Sequence, residues 1–226
     1  MGDDGKEPGH RLDLVLTIVM ALAAVGTAWA GFESTKWGGV QANAYAQAGA
    51  VRAEAGRAAN RAGQQRIRDV VNFTSWLNAL NEDLLAGKIT RPSGDYAPTP
   101  GTLSGFLYDR FRPGLEPVIK EWVATKPLVN LNAPATPFDL EAYHLPDEAR
   151  AAELNAQADA LASTAQTANQ RGDNYVLTAV MFALVLFFAG VAGRARTART
   201  RTLLAVLSVV ALVAAVITLA TFPVEI

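Results

Sequence analysis

The chain has 226 residues, half of them hydrophobic and only 18% charged, with a formal net charge of −1. That balance gives no electrostatic case for nucleic acid, and the lack of any cysteine excludes disulfides, thiolate metal sites and a cysteine nucleophile. His10 and His144, the two histidines, are too few and too separated for a histidine-based metal site.

Residues 1–11, MGDDGKEPGHR, are polar and predict a disordered cytoplasmic tail. An apolar run over residues 12–32 follows, interrupted only by Asp13 near its start. Trp29, Phe32 and Trp37 gather at its far end, as aromatic side chains do at headgroup level. About 20 apolar residues at 1.5 Å each match a hydrocarbon core roughly 30 Å thick, so the run predicts a first spanning helix. Ala28-Trp29-Ala30 before Gly31 also fits a small-x-small signal-peptidase site. An uncleaved anchor is the favoured reading, because Asp3, Asp4 and Glu7 are acidic where a leader is basic and the run reaches spanning length.

Beyond Trp37 the chain turns alanine-rich, and residues 33–66 predict an outgoing helix. Glycine is a poor helix former, so Gly49, Gly56 and Gly63, spaced by seven, need a reason. On one stripe they would let a second backbone approach closely, with Glu54, Arg57, Arg61 and Arg68 turned away. The partner predicted is residues 147–174, where Ala151, Ala158, Ala165 and Gly172 repeat the same interval beside Leu154 and Leu161. One helix leaves the membrane and the other returns, so the pair is expected to form an antiparallel Ala/Gly stalk of about 40 Å. Pro146 followed by Asp147 and Glu148 supplies the start of the returning helix.

Residues 67–146 between them predict a small helical cap. Ile67, Val70, Val71, Thr74, Leu77, Leu84 and Leu85 follow helical spacing, with Phe73, Trp76 and Leu80 beside them. So wide an apolar face wants a core rather than a single partner helix. Gly87 and Arg91-Pro92-Ser93-Gly94 end that helix, and two short helices fit residues 103–112 and 115–124 among the prolines that follow.

Two further apolar runs, residues 175–193 and 203–222, carry no charged side chain and predict the second and third spanning helices. The joint between them, residues 194–202, holds Arg194, Arg196, Arg199 and Arg201 and no acid. Short arginine-rich loops stay on the cytoplasmic side, and these four are expected to touch anionic headgroups. The N-terminus is then inside, residues 33–174 outside, the joint inside and the C-terminus outside.

No ionisable residue sits in the middle of a span. Thr17, Thr27, Thr178, Ser208 and Thr218 are the polar side chains there, and helices accommodate these by bonding to their own backbone. Where stalk meets bilayer, Glu33 and Lys36 are expected to face Arg171 and Asp173 in an interfacial polar collar. Such a collar serves as a register-fixing set of ion pairs or, alternatively, as a headgroup or pore-mouth site. Catalytic signatures are missing: there is no Gly-x-Ser-x-Gly, no phosphate-binding glycine loop and no His-Glu-x-x-His. No catalytic, cofactor or metal residue is predicted, and the chain reads as a non-enzyme.

AWAGFESTKWGGVQA, FTSWLNAL, FLYDRFRPGLEPVIKEWVATKPL with NAPATPFDL, and ANQRGDNYVLTAVMFALVLFFAG together resemble a family of bacterial inner-membrane proteins. The family is a domain of unknown function with three spanning helices and an extracytoplasmic helical insert. The resemblance covers nearly the whole chain past the tail and implies a bacterial inner membrane. It implies no chemistry and assigns no site residue. The expected architecture is an all-α membrane protein with three transmembrane helices, a two-helix stalk and a helical cap. The expected function is structural or protein-interaction, with the bilayer, a second copy or another membrane or periplasmic protein as partner. A homo-oligomeric channel or transport accessory subunit is the alternative, and nucleic acid is not a partner.

Overall fold

A computed structural model describes residues 7–225, with side chains described from His10 onward. The predicted tail therefore lies outside the described residues up to residue 6, and from Glu7 the chain is already helical. The elements are all helices: α1 Glu7–Leu85, α2 Leu103–Tyr108, α3 Glu116–Ala124, α4 Pro146–Arg194 and α5 Ala198–Ala220, with one 3-10 turn at Pro137–Asp139. Three of them, α1, α4 and α5, are long and apolar enough to cross a membrane.

Local chemistry sets the ends. Helix α1 stops where Gly87 takes a positive φ of 69°, with its N–H on the Leu84 carbonyl and that of Lys88 on Asp83. This pair of bonds closes the last turn, and the left-handed residue between them is the conformation glycine adopts without a Cβ penalty. Helix α4 opens on Pro146 with Asp147 and Glu148 in its first turn, the polarity the helix dipole favours. The Thr197 hydroxyl caps α5 by accepting from the Thr200 N–H. The non-helical part of the arginine joint is therefore short: Arg194 ends α4, and Arg199 and Arg201 lie in the first turn of α5. Cations there oppose the α5 dipole, so helix stability does not account for them.

The described chain divides into two compact units, one of residues up to Gly49 with those from Ala158, the other of Ala50–Gln157. In the first unit the inner faces are built of small residues. Ala23, Ala189, Ala192, Ala205 and Ala215 are buried beside Leu16, Val19, Phe182 and Val185. A Cβ on Gly26 would come within 2.5 Å of the Phe182 ring, so this glycine is required by close approach. Farther along, Gly172 lies against Ser34 and Trp37, which makes α1 and α4 antiparallel in this unit. Large apolar side chains point outward instead: Ile18, Leu22, Val25, Leu177, Leu184 and Val210 are all exposed.

The second unit is built the other way round. Phe73, Trp76, Tyr108, Phe111, Ile119 and Trp122 are buried in one core with Leu115 and Val118. Phe73 meets the Trp122 ring edge-on at 5.2 Å, and Trp76 meets Tyr96 at the same spacing. Both arrangements have the edge-to-face geometry that aromatic quadrupoles favour. Helices α1 and α4 are antiparallel here too, with Glu54 facing Arg150 at 3.8 Å and Arg61 facing Asp147 at 2.9 Å.

Two expectations about helix faces are corrected. Gly49, Gly56 and Gly63 do not form the packing seam, since each is exposed and a Cβ on any of them would meet nothing within 4 Å. The buried stripe lies one residue earlier, at Ala48, Ala55 and Ala62, with Ala44 and Ala58. An alanine methyl in the seam gains dispersion contacts that a glycine hydrogen cannot, while still permitting close approach. Nothing in the structure explains the seven-residue glycine spacing. On the returning helix Ala151, Ala158 and Ala165 are buried, as are Leu154 and Gly172. The second correction concerns residues 67–85. Ile67, Val70, Val71, Leu77 and Leu85 are exposed, and the face turned inward is Phe73, Trp76, Ala79 and Leu80. Aromatic rings bury the larger area and so decide the rotation.

Candidate functional site

The predicted collar residues are not joined by ion pairs. Glu33 is fully buried, one carboxylate oxygen accepting the Glu225 N–H at 2.9 Å and the other having no partner among the described residues. Lys36 is exposed, and Asp173, also exposed, accepts from the Asn169 amide. The Arg171 guanidinium lies 4.5 Å from the centre of the Trp37 ring rather than beside a carboxylate. A cation over an indole face is attracted by the ring quadrupole without desolvating an acid, so this contact displaces the expected salt bridge.

What the collar region holds instead is the segment after α5. The Tyr175 hydroxyl donates to the Pro223 carbonyl at 2.9 Å, and its ring meets Phe222 edge-on at 5.5 Å. With Glu33 on the Glu225 N–H, two side chains from α1 and α4 satisfy backbone groups that α5 no longer serves. A buried, unpaired carboxylate is costly, and here it is spent on tethering a chain segment.

Of the four joint arginines, Arg194, Arg196 and Arg199 are exposed. Arg201 is half-buried and paired with Asp13 of α1. The span hydroxyls behave as helix geometry requires: Thr17, Thr27, Thr178 and Thr218 each donate to the carbonyl four residues back, and Ser208 to that of Ala205. Thr178 and Ser208 are fully buried within the chain, so neither is placed to line a pore between copies.

The most elaborate polar centre was not anticipated, and it lies in Ala50–Gln157. Asp69 is buried in α1 and accepts from Arg112 Nε and Nη2 at 2.8–3.0 Å, from the Tyr143 hydroxyl at 3.0 Å and from the Gln65 amide at 2.8 Å. These bonds raise the Arg112 pKa above its ordinary value, the hydrogen bond to Asp69 being the main cause. Burial, then the bond to Asp69, pushes Tyr143 up to about 12. Arg112 and Tyr143 are thereby both held protonated, one as a bidentate fork and the other as a locked donor. A carboxylate so fully satisfied is a clamp joining α1 to the 110s and 140s, and it has no lone pair left for proton transfer.

Asp83 does the same work at the other end of this helix face. It accepts the Ser104 N–H at 2.9 Å, which is chiefly what lowers its pKa, and pairs with Lys88 at 3.5 Å. Ser104 stands in the first turn of α2, so the acid anchors that short helix to α1. The signal was present in the sequence as Asp69, Phe73, Trp76, Leu80 and Asp83, one helical stripe with an acid at either end. Along α3, exposed Lys120 pairs with Glu116 at 2.8 Å.

No family model, curated protein or solved structure matches this chain.

Proposed function

We propose that this is a bacterial inner-membrane protein whose segment 50–157 works outside the cytoplasm as an interaction domain. In this reading residues 12–32, 175–193 and 203–222 span the bilayer, and the Ala-seamed parts of α1 and α4 are the antiparallel stalk helices. The observation that carries the proposal is the reversal of side-chain polarity between the two units. Exposed Ile18, Leu22, Leu184 and Val210 need a hydrocarbon solvent, whereas Phe73, Trp76 and Trp122 make a core of the kind water enforces. Four arginines in residues 194–202 support a cytoplasmic joint, hence an inside N-terminus and an outside C-terminus.

Interaction is favoured over catalysis because Asp69, the most elaborately hydrogen-bonded acid, is saturated by structural partners. The same unit offers water several apolar contacts, including Phe106 and a fully exposed Leu131. The partner class is a second copy or another membrane or periplasmic protein.

The chain has no cysteine, so single cysteines report topology cleanly. Thr90→Cys is expected to react with a membrane-impermeant maleimide added outside intact spheroplasts, and Ala198→Cys only after lysis. The reverse pattern overturns the orientation. A photo-crosslinking residue at Leu131 is expected to give a discrete adduct in cells. No adduct there or at Phe106 would remove the interaction role.

A further inference from the structure

Residues 50–157 enclose a cleft of about 310 Å³. That is the low end of the roughly 300–1,000 Å³ typical of small-molecule pockets. Trp76, Leu80 and Leu84 of α1 form one wall, and Trp122 and Val123 of α3 stand in the lining with them. The indole N–H of Trp122 donates to the Pro134 carbonyl at 2.9 Å, whereas that of Trp76, buried, has no partner among the described residues.

The charged groups in the lining are both cations, Arg91 and Lys126, and no carboxylate accompanies them. Both are exposed, and neither belongs to an ion pair among the described residues. Lys126 is also the one described non-glycine residue with positive φ, at 55°. Such a conformation costs of order 1–3 kcal/mol and persists where surrounding structure imposes it. Its N–H closes α3 on the Val123 carbonyl, and a Cβ on Gly94 would come within 3.1 Å of its side-chain Cε. The lysine stem therefore lies against the 91–94 loop that also carries Arg91.

We propose that this cleft binds a single-tailed anionic amphiphile, its apolar tail between the Trp76 and Trp122 walls and its head at Arg91 and Lys126. A neutral apolar guest would leave both cations unused, and a cationic one would meet two like charges with no acid to receive it. A tail would also cover Leu128 and Val129, which line the cleft and are 70% and 75% exposed. A carboxylate head, as in a fatty acid, and a phosphate head, as in a lysolipid, share this chemistry. The claim concerns residues 50–157 alone and does not depend on membrane orientation.

The test uses the full chain in nanodiscs of zwitterionic lipid and follows quenching of tryptophan fluorescence by 11-bromoundecanoate. Probe dissolved in the bilayer quenches Trp29 without saturating, so the saturable component reports the cleft. The expected result is saturable quenching by the acid, with 11-bromoundecanol at least fivefold weaker. The Arg91→Gln/Lys126→Gln double variant should bring the acid down to the alcohol's affinity; both residues are exposed, so folding is preserved. Displacement of the bromoacid by decanoate alone identifies the carboxylate source, and displacement by decyl phosphate as well identifies a general anionic head; either supports the site. Absence of a saturable component, equal affinity for acid and alcohol, or unchanged affinity in the double variant overturns it.

Discussion

The two units solve the same packing problem with opposite side chains. Around Gly26, Ala23 and Ala189 the helices approach through small residues and send their large aliphatics outward. Around Trp76 and Phe73 the large residues meet one another, and the two buried acids, Asp69 and Asp83, are held by hydrogen bonds. On the membrane reading proposed above, the difference is one of solvent. In hydrocarbon there is no gain in hiding leucine, so helices associate by close backbone packing. In water the aromatic area itself drives the core.

Breaking the aromatic unit should have the largest effect. Asp69→Ala leaves the Arg112 guanidinium, 27% exposed, without its acid. Loss of one partner of a buried pair costs about 3–5 kcal/mol, and the partial exposure of Arg112 points to the low end. Urea unfolding followed by the fluorescence of Trp76 and Trp122 should show that loss, and an Asp69→Ala/Arg112→Met double variant should recover part of it. Unchanged unfolding in the single variant would make the clamp ornamental.

Overpacking is the matching test on the small-residue seams. Gly26→Val should cost about 1–3 kcal/mol and lower the melting temperature in detergent, because the added methyls meet the buried Phe182 ring. Ala58→Leu should do the same between the Arg150–Glu54 and Arg61–Asp147 pairs. Gly56→Leu, two residues away, should do neither. If Gly56→Leu destabilises and Ala58→Leu does not, the seam has been assigned to the wrong face.

Alkaline pH gives a subtler contrast. Tyr143 holds its proton up to about 12 when folded, against about 10 when unfolded. Its contribution is complete below the unfolded value and is lost as pH rises through the folded one. The melting temperature should therefore fall more steeply between pH 10 and 12 in the native chain than in Tyr143→Phe. At the acid end the depressed Asp83 pKa has the opposite sign, its contribution fading as pH drops through the folded value. Smallest of all, Gly56→Ala should stabilise by up to about 1 kcal/mol, the ordinary gain at an exposed helical glycine.

The spans were legible because a run such as residues 203–222, wholly without charge, has few soluble alternatives. Helix ends were legible wherever backbone chemistry is local, as at Gly87 and Pro146. Helix faces were not. A chain of alanines with interspersed glycines has the right period in several phases at once, so the glycine and alanine heptads differ only by the contacts α4 makes. At residues 67–85 aliphatic and aromatic stripes overlapped, and counting apolar residues gave the wider stripe rather than the heavier one. The Asp69 centre depends on Arg112 and Tyr143, 43 and 74 residues away, and no local pattern announces such a meeting.

The central claim is that two solvents shaped this chain, and nitroxide accessibility measures solvent directly. Spin labels at Ile18→Cys, Leu184→Cys and Val210→Cys in liposomes should relax strongly with oxygen and weakly with a water-soluble nickel chelate. Labels at Val71→Cys and Leu131→Cys, equally apolar positions by nature, should show the reverse. High nickel accessibility at residues 18, 184 and 210 would contradict the account.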